Sequence, residues 1–308
     1  MTTAFIFPGQ GSQSIGMLAE LADKFPIIES TFAEASEVLG YDLWALVRNG
    51  PAEELNATDK TQPAMLASGV AVWRLWLEQG GERPTVMAGH SLGEYTALVC
   101  AGAIEFADAI KLVEARGRFM QGAVAVGAGG MAAILGLEDD EVIALCASSA
   151  GGEVLEAVNF NTPGQVVIAG DVNAVNRAVD CAPDAGAKKA VLLPVSVPSH
   201  CALMKPAAAQ LKEMLGSLDI QSPTIPVINN VDVVSCLDSD DIKDALVRQL
   251  YQPVQWVKII NKMLEDGVDQ VVECGPGKVL AGLNKRIARR TPAFPVVDVA
   301  ALEKALGK

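Results

Sequence analysis

Residues 85–103 read TVMAGHSLGEYTALVCAGA, and this stretch decides the fold class. A short apolar strand at Thr85–Ala88 runs into Gly89-His90-Ser91-Leu92-Gly93, and a helical pattern follows over residues 94–103. The pentapeptide fits G-x-S-x-G, in which the glycines leave room for a sharp turn that projects a serine hydroxyl above the edge of a sheet. The pattern therefore predicts a strand, a tight turn and a helix, with Ser91 as a nucleophile.

The same succession of strand, glycine-containing loop and helix occurs near both ends of the chain. Ala4–Phe7 is a short apolar run that ends at Pro8–Gln13, and residues 270–274 are followed by Gly275–Lys278. Strands that alternate with helices favour a mainly parallel sheet covered on both faces. We therefore predict an α/β fold with a hydrolase-like, mainly parallel sheet.

A different order of elements begins after the glycine-rich stretch Gly127–Gly130. It reads strand, helix, strand, strand, helix, strand, which is the ferredoxin-like βαββαβ pattern. The predicted elements are strand Met131–Leu137, helix Asp139–Ser149, strands Val154–Asn159 and Gln165–Ala169, helix Ala174–Ala182 and strand Ala190–Val195. We predict a large discontinuous α/β domain over 1–127 and 197–308, with a small ferredoxin-like subdomain inserted at 128–196, and a cleft between them.

The composition of the chain argues against several classes of function. The formal net charge is −13, so binding to nucleic acid phosphates is not expected. Two histidines and six scattered cysteines without a C-x-x-C pair argue against a metal site and against a disulfide framework. The apolar runs are far shorter than the roughly 20 residues of a membrane-spanning helix, and no basic leader with a cleavable apolar segment is evident. We expect a cytoplasmic protein that binds no metal, no nucleic acid and no membrane.

Ser91 needs a general base, because a serine hydroxyl is a weak nucleophile at neutral pH. His90 is poorly placed for this role, since successive side chains in a tight turn point in different directions. His200 is the remaining histidine, and it follows a strand in a loop bracketed by Pro194 and Pro198. We predict that His200 is the base.

Acyl transfer through a tetrahedral intermediate also needs hydrogen-bond donors for the oxyanion. The amide of Leu92, which follows the nucleophile, is the first candidate. Gln10 lies in the glycine-flanked turn after the first strand, and that turn opens on the same edge of a parallel sheet as Ser91. The backbone N–H of Gln10 is therefore predicted as the second donor. Phosphate binding by this turn is not favoured, because neither Walker A nor G-x-G-x-x-G is present.

Six motifs spread over nearly the whole chain resemble those of the malonyl-CoA:acyl carrier protein transacylase family. They are PGQGSQ at 8–13, GHSLGEY at 89–95, RGRFM at 116–120, NFNTPGQ at 159–165, PSH at 198–200 and GPGKVL at 275–280. The resemblance implies an α/β domain with a ferredoxin-like insertion, in agreement with the pattern of elements. It also implies transfer of a malonyl group from malonyl-CoA to the phosphopantetheine thiol of acyl carrier protein, which supplies fatty acid synthesis.

The resemblance assigns roles to individual residues. Ser91 would carry the malonyl ester in a ping-pong reaction, with His200 as base and then acid and the amides of Gln10 and Leu92 as the oxyanion hole. Such a reaction needs no cofactor, since malonyl-CoA is a substrate and the phosphopantetheine belongs to the carrier protein.

The resemblance also supplies a carboxylate-binding residue and a partner for the base. Arg116 would bind the malonyl carboxylate, because a planar guanidinium can make two parallel charge-assisted hydrogen bonds with it. Sequence alone does not separate Arg116 from Arg118. The backbone carbonyl of Gln249 would orient the ring of His200 in place of a triad acid.

Selectivity and docking depend on further residues. The tetrapeptide that ends at the histidine, residues 197–200, matches neither pattern that separates malonyl from methylmalonyl selection in modular polyketide acyltransferases. A different extender unit therefore stays an alternative. The residues expected to form the pocket wall are His90, Met120 and Ser199. The basic cluster expected to dock the acidic carrier protein is Arg286, Arg289 and Arg290.

Two rival functions remain open at this point. One is a serine esterase of the α/β-hydrolase type, whose histidine usually lies near the end of the chain, whereas a long structured segment follows His200 here. The other is a non-catalytic subunit that only docks carrier protein.

Overall fold

The computed structural model describes residues 2–195 and 197–308, which form two sheets and the helices around them. The strands are β1 Thr3–Phe7, β2 Val86–Gly89, β3 Gly129–Leu135, β4 Leu155–Thr162, β5 Gln165–Asp171, β6 Lys189–Leu192, β7 Val227–Ile228, β8 Gln270–Glu273 and β9 Ala293–Pro295.

Helices make up most of the remaining chain. They are α1 Ala19–Lys24, α2 Ile27–Leu39, α3 Leu43–Asn49, α4 Ala52–Leu55, α5 Thr58–Glu78, α6 Leu92–Cys100, α7 Phe106–Gly122, α8 Asp139–Ser149, α9 Val172–Cys181, the 3-10 helix Ala202–Met204, α10 Lys205–Gly216, α11 Ser239–Gln249, α12 Trp256–Glu265, α13 Val279–Ile287 and α14 Val299–Ala305. Within the described ranges, no helix is both long and apolar enough to cross a membrane.

The larger sheet has the strand order β7-β2-β1-β8-β9, and all its neighbouring strands are parallel. Its central strand β1 is buried over Ala4–Phe7, and two separate apolar clusters pack on its opposite sides, one containing Phe5 and Phe7 and the other Ala4 and Ile6. Alternation along the strand sends successive side chains to opposite faces of the sheet. The prediction of a mainly parallel sheet covered on both faces is confirmed.

The smaller sheet has the order β4-β5-β3-β6 and is antiparallel. With α8 and α9 it has the predicted βαββαβ order, and the predicted fold class is confirmed. Only part of the glycine-rich stretch Gly127–Gly130 is a linker, because β3 begins at Gly129. A Cβ there would lie 2.4 Å from Pro198 Cγ, so close packing requires a glycine. The predicted last strand is shorter than expected and ends at Leu192.

The division into domains at 1–127, 128–196 and 197–308 stays a prediction, and Ser196 lies outside the described residues. The smaller sheet joins the rest of the chain through Val254, which accepts a hydrogen bond from Phe160 N (3.0 Å) and donates one to Val158 O (2.8 Å). Because the carboxyl ends of parallel strands open on one edge of the sheet, the loops after β1, β2 and β7 converge beside this junction.

Candidate active site

Ser91 lies between the end of β2 and the start of α6, in a backbone conformation that residues other than glycine rarely adopt. Its φ is 52° and its ψ is −109°, which costs about 1–3 kcal/mol. The turn is so tight that a Cβ on Gly89 would lie 1.8 Å from the Gly93 carbonyl carbon, and one on Gly93 would lie 2.0 Å from Phe7 O. The glycines of the motif are therefore required by space, and the strain presents the Ser91 hydroxyl at the sheet edge.

The side chain of His200 lies within hydrogen-bond distance of this hydroxyl. Its Nε2 lies 2.8 Å from Ser91 Oγ, and its Nδ1 lies 2.6 Å from the backbone oxygen of Gln249. A carbonyl oxygen only accepts, so Nδ1 carries the proton, and Nε2 of the neutral ring accepts from the serine hydroxyl. The arrangement is that of a nucleophile and a base oriented by a third group, here without a carboxylate.

The environment keeps His200 neutral. Burial, and secondarily the positive charge of Arg116, lower its pKa from 6.5 to about 3. A protonated imidazole cannot accept the Ser91 proton, so this shift keeps the His200 ring able to accept a proton over a wide range of pH.

His90 lies apart from the serine proton. Its Nε2 is 2.8 Å from Asn161 Oδ1, its ring centroid is 5.4 Å from that of Trp256, and burial lowers its pKa. The hydrogen bond ties the turn to β4 of the smaller sheet. Its position at the cavity margin agrees with the predicted pocket wall and not with a base for Ser91.

The predicted oxyanion donors border the same cavity. Leu92 is the first residue of α6, so its N–H has no acceptor within the helix. Gln10 follows β1 and reaches the turn because Gly9 is small: a Cβ at Gly9 would lie 2.5 Å from His90 O. The Ser91 N–H is occupied by a 2.7 Å hydrogen bond to Asn230 Oδ1. Leu92 and Gln10 thus remain the amides that border the reaction centre.

Arg116 is 1% exposed, yet its guanidinium faces Ser91. Nη1 donates to Gln62 Oε1 at 2.8 Å, and Nη2 donates to Gln249 Oε1 at 3.0 Å and to Ser91 Oγ at 3.4 Å. In the described part of the chain no carboxylate lies within 4 Å of this guanidinium, and its Nε has no hydrogen-bond partner. Arg118 is instead exposed and pairs with Glu114 at 3.0 Å. The structure thus separates the two arginines that the sequence left equivalent.

The cavity lies between the two sheets. Met120 and Ser199, both predicted wall residues, line it with Met131, Asn159 and Leu193 from the smaller sheet and its connections. Every predicted residue of the reaction centre therefore borders this cavity or contacts a residue that does. Across residues 2–195 and 197–308, no three histidine, cysteine, aspartate or glutamate side chains form a metal-binding group.

Sequence reasoning missed three buried polar residues next to the centre. Gln62 holds Arg116, Asn230 contacts the Ser91 amide, and Glu94 accepts hydrogen bonds from Asn230 N (2.9 Å) and Gln249 Nε2 (2.8 Å). Glu94 directly follows the G-x-S-x-G motif, and Asn230 lies two residues after β7 at the carboxyl edge of the sheet, so both carried a positional signal. Gln62 carried none, because it follows the polar first turn of α5, residues 58–61, where one more neutral polar side chain does not stand out.

The chain is similar to known proteins over nearly its whole length. The acyl transferase domain family matches residues 4–302. The malonyl CoA-acyl carrier protein transacylase of Salmonella typhimurium is 60% identical over 303 residues, which cover 98% of each chain. An acyl carrier protein S-malonyltransferase crystal structure from Vibrio cholerae shows 59% identity and a TM-score of 0.97, with 99% of this chain and 100% of that chain covered. A malonyl-transacylase in complex with a type II PKS acyl-carrier protein shows 56% identity and a TM-score of 0.99, over 100% and 99% of the two chains.

Proposed function

This chain belongs to the acyltransferase family that contains the malonyl-CoA:acyl carrier protein transacylases, and on that premise we propose that it transfers a malonyl group from malonyl-CoA to acyl carrier protein for fatty acid synthesis. The observation that carries the proposal is Arg116, a buried guanidinium that faces Ser91 at 3.4 Å and that has no carboxylate partner among the residues that the structure describes. An unpaired buried charge is costly, so a substrate that brings a carboxylate completes the site. Malonyl-CoA has a carboxylate beyond its thioester carbonyl.

The first half of the reaction loads the enzyme. His200 Nε2 takes the proton of Ser91, and Oγ attacks the thioester carbonyl, so that a C–O bond forms and the carbonyl oxygen becomes an oxyanion. The amides of Leu92 and Gln10 stabilise that charge. The intermediate collapses with cleavage of the C–S bond, and His200 donates its proton to the coenzyme A sulfur. The products are free coenzyme A and malonyl-Ser91.

The second half runs through the same atoms in reverse. The phosphopantetheine thiol of the carrier protein gives its proton to His200 and attacks the ester carbonyl. A C–S bond forms, the C–Oγ bond breaks, and Ser91 recovers its proton from His200. Every step uses side chains and backbone groups of this chain, so the proposal needs no cofactor. The Gln249 carbonyl fixes the ring throughout by accepting from Nδ1.

Mass spectrometry of the intact protein tests the reaction. After mixing with malonyl-CoA, the chain should gain the mass of one malonyl group, and carrier protein bearing phosphopantetheine should remove it. Apo carrier protein, which lacks the thiol, is the control and should leave the adduct in place. A chain that gains no malonyl group would contradict the proposal, and rapid loss of the adduct to water would favour the esterase instead.

Arg116 is proposed to select the malonyl group. Replacing Arg116 by alanine is expected to lower kcat/KM for malonyl-CoA by about 100-fold or more, because charge-assisted hydrogen bonds to the carboxylate are lost. Acetyl-CoA lacks that carboxylate, so its use should fall much less. Competition between the two thioesters, read by adduct mass, measures the change.

Arg118→Ala is the matched control for this experiment. Arg118 lies two residues further along α7 and is exposed, so its loss should leave the ratio of malonyl to acetyl adducts unchanged. An unchanged ratio in Arg116→Ala as well would contradict the selection role and would leave a different extender unit open.

The carrier protein is proposed to dock near Arg286, Arg289 and Arg290 on and after α13. All three are exposed, and within the described residues Arg289 and Arg290 make no ion pair. Arg289→Glu is expected to raise the KM for carrier protein by about five- to tenfold at low salt, because it places like charges opposite each other, and to leave loading from malonyl-CoA unchanged.

Arg83→Glu makes the same charge change at another exposed arginine, after α5, and should leave both kinetic constants as in the wild type. Equal KM values for Arg289→Glu and Arg83→Glu would contradict docking at the basic cluster.

We also propose a cytoplasmic location, which the six free cysteines support because reducing compartments keep thiols unpaired.

A further inference from the structure

We propose that Glu94, Asn230 and the side-chain amide of Gln249 form an elbow clamp, a closed ring of hydrogen bonds that holds the strained Ser91 backbone in its reactive position. The three residues are positioning residues. The side chains of Asn230 and Gln249 touch the backbone of the nucleophile, and the Glu94 carboxylate joins these two residues to each other. The inference rests on the proposed function, in which Ser91 is the nucleophile.

Asn230 holds the amino side of the serine. It follows β7, the strand next to β2, and its Oδ1 accepts from Ser91 N at 2.7 Å while its Nδ2 donates to Gly89 O at 2.7 Å. The amide orientation is fixed, because an N–H can only donate and a carbonyl oxygen can only accept. One side chain thus joins the last residue of the strand to the nucleophile across the turn.

Gln249 holds the carboxyl side. Its Nε2 donates to Ser91 O at 3.0 Å, and its Oε1 accepts from Arg116 Nη2 at 3.0 Å. The backbone oxygen of the same residue accepts from His200 Nδ1. A single residue therefore ties together the backbone of the nucleophile, the base and the guanidinium.

Glu94 closes the ring beneath the serine. Its Oε2 accepts from Gln249 Nε2 at 2.8 Å and from Asn230 N at 2.9 Å, so it joins the two arms. Glu94 is 2% exposed, and Asn230 and Gln249 are fully buried. Hydrogen bonds between groups withdrawn from water resist competition by solvent, and the loss of one leaves its partner unsatisfied.

The clamp counters a specific cost. Ser91 has φ 52°, outside the regions that residues other than glycine prefer, and such a conformation persists only where its surroundings over-determine it. Four hydrogen bonds hold the backbone of the turn. Asn230 donates to Gly89 O and accepts from Ser91 N, and Ser91 O accepts from Gln249 Nε2 and, at 3.1 Å, from Glu94 N. Without the side-chain bonds, the turn can relax and carry Oγ away from His200.

Sulfonylation by phenylmethylsulfonyl fluoride measures the reactivity of Ser91 without any malonyl or carrier-protein chemistry. Asn230→Ala is expected to lower the second-order rate of sulfonylation by roughly 10- to 100-fold, because two buried hydrogen bonds to the turn are lost. The kcat for malonyl transfer should fall by a similar factor, while the KM for malonyl-CoA stays near the wild-type value because Arg116 is untouched.

Asn284→Ala is the matched control. Asn284 is also a fully buried asparagine with a side-chain hydrogen bond to backbone, to Thr291 O at 3.1 Å, but it lies on α13 and does not contact the turn. It should destabilise the fold without slowing sulfonylation by more than about threefold. Equal rates for the two alanine variants would overturn the clamp.

Glu94 supplies a second, independent pair of variants. Glu94→Gln keeps an oxygen that can accept both donors, so its sulfonylation rate should stay within about threefold of the wild type, whereas Glu94→Ala should lose roughly tenfold or more. An equal effect of the two substitutions would overturn the role of Glu94. This pair also decides the question if Asn230→Ala does not fold.

Failure of the clamp and failure of the proposed function give different results. A wild-type protein that reacts at Ser91, with variants that react equally fast, overturns the clamp alone. A wild-type protein that never reacts at Ser91 overturns the nucleophile and the clamp together.

Discussion

Replacing Ser91 by alanine is expected to lower the rate of malonyl transfer by roughly 10⁵-fold and to abolish the malonyl adduct, because the oxygen that is proposed to form the ester, 2.8 Å from His200 Nε2, is lost. The substitution removes one oxygen at the surface of the cavity. Gly89 and Gly93 are unchanged, so the close backbone packing that these two glycines allow is retained. Intact mass after mixing with malonyl-CoA and steady-state transfer to carrier protein are the measurements.

Ser12→Ala is the control for this result. Ser12 is a partly exposed serine in the loop that carries Gln10, and the proposed mechanism does not use it. Its variant should carry the adduct at the wild-type rate. A malonyl adduct that persists in Ser91→Ala, or disappears in Ser12→Ala, would show that the ester forms elsewhere.

Loss of the base has the second largest expected effect. His200→Ala should lower the rate of malonyl loading by about 10⁴-fold, since the Ser91 proton then has no acceptor at 2.8 Å. Rapid-quench measurement of adduct formation isolates this step from transfer to carrier protein. His90→Gln is the matched comparison, because it removes the other histidine while keeping a side chain that can donate to Asn161. It should lose no more than about tenfold, and a larger loss than in His200→Ala would reverse the assignment.

The pH profile tests the same residue. With a pKa lowered from 6.5 to about 3, His200 remains unprotonated well below neutrality. The kcat/KM for malonyl-CoA should therefore stay flat from neutral pH down to about pH 5, where a histidine with an ordinary pKa would be mostly protonated. An acid limb centred near pH 6.5 would contradict the neutral, buried base.

Stability must be measured over the same range. The pKa of His200 is lower in the folded state than in the unfolded state, so the unfolded state takes up a proton first as the solution is acidified. The stabilising contribution of neutral His200 is present above pH 6.5 and is lost as the pH falls from 6.5 towards the folded-state pKa of about 3. Circular dichroism at each pH separates unfolding from protonation of the base.

The positions of the charged groups in the candidate active site suit acyl transfer. The proposed base His200 is oriented by a neutral carbonyl. The buried carboxylate of Glu94 lies beneath the turn and is linked to Arg116 through the side chain of Gln249. Burial raises the pKa of Glu94 to about 7. A carboxylate placed beside His200 would raise the pKa of the ring and would repel a malonyl carboxylate. Within the described residues Arg116 has no carboxylate partner, as its proposed role in binding the malonyl carboxylate requires.

Much of the centre was predictable because its signals are local or compositional. The turn at Ser91 follows from strand and helix patterns on either side of two glycines, whose spacing is a steric requirement that the sequence itself displays. His200 was identified because the chain has only two histidines and one adjoins the nucleophile. The predicted helix Asp139–Ser149 has the observed bounds for the same reason, since a run of acidic residues marks its first turn.

Other features depend on which surfaces pack together, and the sequence by itself did not determine them. Arg116 and Arg118 occupy one motif, and only the packing of α7 on α5, where Gly117 closely approaches Asp59, buries the first and exposes the second. Asn230 lies 139 positions from Ser91 and Gln62 lies 54 from Arg116.

The sequence alone thus determined the fold class and predicted Ser91 as the nucleophile and His200 as the base, because covalent neighbours, glycine sterics and residue scarcity are properties of the chain. The tertiary structure alone decided which arginine faces the serine and which buried amides hold its backbone. Neutral hydrogen-bonding side chains leave no periodic or charge signal in a sequence. Their roles arise only when folding excludes water and brings distant donors and acceptors within about 3 Å of each other.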